Sequence, residues 1–140
     1  MSDDLDQRSA EELAYLRAVL AASGVAAEVL AAMEDVAERL APDRSAVLAA
    51  AIAGRFAGPL DASAAALGAA PAPEALAGFD RLFAAGFGHV RECAALFGDF
   101  PSAPPQERIP RILTSLHHHA QAQEHLYPLR ALLPAVRDYW

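Results

Sequence analysis

Apolar residues recur along this chain at intervals of three and four, the spacing that lines one face of an α-helix. Ser9-Ala10-Glu11-Glu12 has the form of a capping box, in which the Ser9 hydroxyl takes an orphan amide and Glu12 reaches back. A first helix is expected from there to about Ala22, with Leu13, Leu16 and Leu20 on one side and Gly24 interrupting it. A second runs to about Leu40 on a stripe of Val29, Met33, Val36 and Leu40, and Ala41-Pro42-Asp43 supplies a stop and a new cap. A third, from Arg44 to Ala57, carries Val47, Leu48, Ile52 and Phe56 and ends at Gly58-Pro59. Residues 61–70 predict a short helix opened by Asp61, before the linker Ala70-Pro71-Ala72-Pro73.

The longest uninterrupted pattern follows. From Glu74 to Phe97, the residues Leu76, Phe79, Phe83, Phe87, Val90, Ala94 and Phe97 keep helical spacing, with Asp80, Arg81, Arg91 and Glu92 opposite. After a proline-rich turn, a last helix is expected from near Gln106, with a stripe of Ile109, Leu113, Leu116 and Ala120. Pro128 must kink or end it, and Pro134 stops the tail. No stretch alternates as a strand does. The pattern predicts an all-α fold: one domain over 1–140, a bundle of four main helices with one or two short extra helices, and a disordered acidic start over 1–8. Its core should set Phe79, Phe83, Phe87 and Val90 against Leu113, Leu116 and Ala120.

Composition narrows the function. Apolar residues make up 54% of the chain, and lysine is absent, which removes Schiff-base and P-loop lysine chemistry. The net charge is −7 and the arginines are scattered, so no basic face forms for nucleic acid or anionic lipid. The start lacks a signal-peptide pattern, and the longest wholly apolar stretch, Ala46 to Ala53, is far short of a bilayer span. A cytoplasmic protein is the expectation. The lone cysteine, Cys93, rules out an internal disulfide or a CxxC motif.

The candidate chemistry lies in Leu116-His117-His118-His119-Ala120-Gln121-Ala122-Gln123-Glu124-His125, which holds four of the five histidines. Helical chelation needs side chains at i and i+3 or i+4, and no pair of these histidines has that spacing. His118 and His125 stand seven residues apart, about 10 Å along a helix. A metal site must therefore recruit another helix. Successive residues point about 100° apart, which makes His119, with Ile112, Leu116, Gln123 and Leu126, the inward-facing histidine. His118 and His125, beside Arg111, Thr114 and Gln121, fall on the polar face, where they would tolerate substitution or meet a second copy in a homodimer.

On the long helix, His89 precedes Glu92 and Cys93 by one turn, a half-site of imidazole, carboxylate and thiol suited to a borderline metal. If the last two helices run antiparallel, His89 approaches the turn His117–Gln123. His89 and His119 are then the first expected ligands of a transition metal (iron or zinc), with Glu92, Cys93, His117 and Glu124 as candidates for the rest. The plainer alternative makes His119 a core-edge histidine satisfied by a carbonyl or carboxylate. A haem held by His89 and His119 is conceivable, though the c-type attachment motif is absent. Thr114 and Ser115 precede the histidines but lack a nucleophile elbow, so a conventional enzyme ranks last.

The segment His118 to Pro128, ending Glu124-His125-Leu126-Tyr127-Pro128, resembles the histidine, carboxylate and aromatic-proline stretch of hemerythrin-like (HHE cation-binding) domains. His89 with Glu92 resembles that family's middle His-Glu helix. The resemblance covers the last third of the chain and implies a four-helix bundle with a di-iron centre for oxygen, redox or iron handling. The family's carboxylate four residues after the histidine falls on Ala122, and the first two helices hold no histidine, so the implied site is a degenerate one. Two functions follow for testing: a bundle binding a metal through its last two long helices, or a non-enzymatic module for a small ligand or protein partner with solvated histidines.

Overall fold

In a computed structural model of the chain, residues 2–38, 42–99 and 102–132 are described, with side chains over 10–34, 50–51, 54–99, 102–129 and at 131. The fold is all-α. Four long helices, α1 (Ser2–Glu38), α2 (Pro42–Ala69), α3 (Ala77–Asp99) and α4 (Pro105–Leu126), are followed by a single turn, α5 (Leu129–Leu132). A 3-10 turn, Glu74–Leu76, leads into α3. Val36, Leu40, Val47, Leu48, Ile52 and Pro134 lie outside the described side chains.

The helices are fewer and longer than their punctuation implies. Gly24 does not interrupt α1, and Ser9 is inside it rather than at its cap, because the helix already starts at Ser2. It thus includes residues 2–8, for which disorder was expected. A mid-helix glycine costs about 1 kcal/mol. Tyr15, Val19, Ala22, Ala26, Val29 and Met33 recur at alternating steps of four and three, and all are buried, which outweighs that cost. The span Ala10–Glu34 is long and apolar enough to cross a membrane by length and composition, and 44% of its 18-residue apolar window is buried inside the protein. Besides the core-facing residues just named, Ala18, Ser23 and Leu30 of this span are buried.

Gly58-Pro59 likewise fails to end α2, which continues through Pro59 to Ala69 and absorbs the short helix expected over 61–70. Pro59 forfeits one backbone hydrogen bond. The residue before it is a glycine, which has no Cβ to clash with the proline ring, and Phe56, Leu60 and Ser63 stay buried on one face across the break.

α3 packs on α4 along most of its length and on α2 along its other side, while α1 touches α2, α3 and α4. The α3 stripe is core as expected: Phe79, Phe83 and Phe87 form a ladder of stacked rings, with centroids 6.0 Å apart at each step. The α4 stripe is not. Leu113 is 59% exposed and Ile109 69%, Ala120 is exposed, and Leu116 is only half-buried. α4 buries Ser115, Ala122 and Leu126 instead. Its inner face therefore lies more than a third of a turn from its most apolar one, about 130° at 100° per residue, and that rotation decides which histidines meet α3.

Candidate metal centre

Three cross-helix contacts fix the register. The Ser115 hydroxyl donates to the Cys93 carbonyl at 2.8 Å, His89 meets His118, and Gly86 faces Leu126, so α4 runs antiparallel to α3. Gly86 makes the approach possible. A Cβ there would stand 2.5 Å from Leu126 Cγ and 3.2 Å from His125 Cβ, both too close. One turn on from this glycine, His89 enters the gap between the helices.

His89 is half-buried, and its Nδ1 lies 2.8 Å from Nδ1 of His118. One ring donates and the other accepts. The ring centroids are 5.1 Å apart, and the His125 ring, two turns further along the same face of α4, stands 5.3 Å from His89. His118 and His125, expected on the polar face, are thus half-buried partners of a single imidazole. His125 Nδ1 donates to the carbonyl of Gln121 at 2.8 Å, which fixes its tautomer and leaves the Nε2 lone pair free. Burial first, and then the positive charge that His118, His125 and His117 can carry, hold His89 below the ordinary histidine range; Glu92 pulls weakly the other way.

The expected pair of first ligands is not brought together. His119 turns toward α1, where Nε2 donates to the Leu30 carbonyl at 3.1 Å and lies 4.0 Å from Glu34 Oε1, itself held by Gln123 at 3.1 Å. This is the core-edge histidine of the plainer alternative. Cys93 is fully buried, with Sγ 3.5 Å from Ser115 Oγ, and burial pushes its thiol up to about 11 despite that hydroxyl. Glu92 is exposed and lines a groove between α2 and α3 with Asp61 and Arg91; Glu124 and His117 are exposed too. His117 retains one link to the cluster, its ring 6.0 Å from that of His118.

The signal missed in the sequence is the seven-residue interval between His118 and His125. Two turns along α4 is too far for chelation within one helix, but it is the repeat that faces a single packed neighbour, and Ser115, His118, Ala122 and His125 follow it. As the side chains stand, no group of three or more His, Cys, Asp or Glu among the described residues is placed to hold a metal ion. An iron pair held by carboxylates does not fit these residues, because both candidate carboxylates lie outside the histidine cluster. No family model, curated protein or solved structure matches the chain.

Proposed function

We propose that this chain is a small helical protein that binds a transition-metal ion between α3 and α4, with His89 and His118 as its first donors. The observation that carries this reading is the 2.8 Å separation of their Nδ1 atoms. Two imidazoles from different helices that share one proton are placed to share a cation after a small opening of the pair. The donor ring moves its proton to Nε2 and offers Nδ1. Imidazole is the commonest protein ligand for such ions.

Calorimetric titration of chelator-treated, tag-free protein with Zn²⁺, Cu²⁺, Ni²⁺ and Fe²⁺ tests the reading. Micromolar or tighter binding of at least one ion, lost in His89→Ala/His118→Ala, is the expected result. Binding of none, or equal binding by the double variant, overturns it.

A further inference from the structure

The cluster also bears on which ion is bound and on what completes its shell. Resting on the metal-binding reading above, we infer that the chain takes a single late divalent cation of the copper(II) or zinc class, held by the imidazoles of His89, His118 and His125 and by no carboxylate or thiolate.

His125 is the third donor for three reasons. Its ring is as near to His89 as that of His118 is, 5.3 Å against 5.1 Å. Its Nδ1–H is already committed to the Gln121 carbonyl, the kind of outer contact that fixes a ligating histidine in one tautomer and raises its basicity. Its Cβ lies 3.2 Å from where a Cβ on Gly86 would stand, so the His125 side chain starts at the tight approach of α4 to α3. Coordination requires the three rings to reorient about their side-chain bonds, because as they stand no three such groups among the described residues are placed for a metal ion. His117, by contrast, is exposed, its ring 6.0 Å from that of His118.

The alternatives to nitrogen are used elsewhere or face away. The Cys93 thiol is bonded to Ser115 and buried, and a thiolate there would carry an unpaired charge into the core. Glu92 opens onto the α2–α3 groove and Glu124 onto solvent. A shell without oxygen disfavours magnesium, calcium and manganese, and affinity at a nitrogen site rises from iron(II) toward copper(II).

Electron paramagnetic resonance of the full chain with one equivalent of Cu²⁺, together with titrations of variants, tests this inference. Expected are one ion per chain, superhyperfine coupling to three nitrogens that falls to two in His125→Ala, and at least a tenfold loss of affinity in that variant. Glu92→Gln, Glu124→Gln and His117→Ala should bind as wild type does. The wild-type nitrogen count stands even if His125→Ala folds poorly, and His125→Gln provides a closer-sized second variant. Two ions per chain, a two-nitrogen wild-type spectrum, or affinity lost with Glu92, Glu124 or His117 overturns the three-imidazole site while leaving metal binding intact. Absence of binding by every ion overturns both.

Discussion

His89 Nδ1 and His118 Nδ1 face each other at 2.8 Å across the α3–α4 contact, and only one proton fits between them. Protonating both rings removes the acceptor and sets two cations side by side, with His125 and His117 adding to the repulsion and exposed Glu92 acting weakly against it. His89 is held below its ordinary value of 6.5, so the unfolded chain takes up its proton at higher pH than the folded one. Stability from this group is therefore complete above pH about 6.5 and falls as the pH drops from there toward the folded value. In chelator-treated protein, the melting temperature should decline between pH 7 and pH 5, and His89→Gln should flatten that decline. An unchanged slope in the variant would show that the histidine pair does not govern it.

Two neighbouring glycines of α3 should respond in opposite directions to the same substitution. In Gly86→Ala the new methyl meets the buried Leu126 side chain at 2.5 and 2.6 Å. Overpacking of this kind costs about 1–3 kcal/mol, against a gain of about 1 kcal/mol in helix propensity. Gly88→Ala meets nothing within 4 Å and keeps the propensity gain. Urea denaturation should show Gly88→Ala stabilised by up to about 1 kcal/mol and Gly86→Ala less stable than wild type. Equal stabilisation of both would mean that α3 and α4 are not in close approach at Gly86.

Much of this arrangement could be read from residue order, and the failures share a cause. The helical period of Phe79, Phe83, Phe87 and Val90 identified α3 and its buried face, because those residues are large and uniformly apolar. Gly24 and Gly58-Pro59 misled as breaks, since their local cost is small beside the burial that Ala22, Ala26, Phe56 and Leu60 contribute on either side. The histidines were the harder case. Orientation of α4 was inferred from its most apolar stripe, whereas the helix turns its small residues, Ser115 and Ala122, toward α3 to let the backbones approach. That turn carries His118 and His125 inward and His119 toward α1. Hydrophobicity alone does not signal a close-packed face built from Gly86, Ser115 and Ala122.

The phenylalanine ladder of α3 should dominate stability. Phe83 is 1% exposed and stacks on both Phe79 and Phe87, at interplanar angles of 7° and 12°. Phe83→Ala removes both ring contacts and leaves a cavity, a loss of about 3–5 kcal/mol. Chemical denaturation gives the number directly, and a loss below about 1 kcal/mol would place Phe83 outside the core.

A last pair of substitutions separates the two faces of α4. Leu113 belongs to the apolar stripe that periodicity assigns to the core, yet it is 59% exposed, and Ile109 one turn before it is exposed further. Leu126 is fully buried, in contact with α3 at Gly86. Leu113→Ser removes a side chain that already meets water, so its effect on stability should stay within about 0.5 kcal/mol. Leu126→Ala opens a cavity where the two helices are closest, at a cost of about 2–5 kcal/mol. The same Leu126 change should disturb the histidine cluster, because His125 adjoins it, and the His89 imidazole resonances should shift in ¹H–¹⁵N spectra. Leu113→Ser should leave them in place. If instead Leu113→Ser costs as much as Leu126→Ala and moves the His89 signals, α4 is rotated toward its apolar stripe, and His118 and His125 do not face α3.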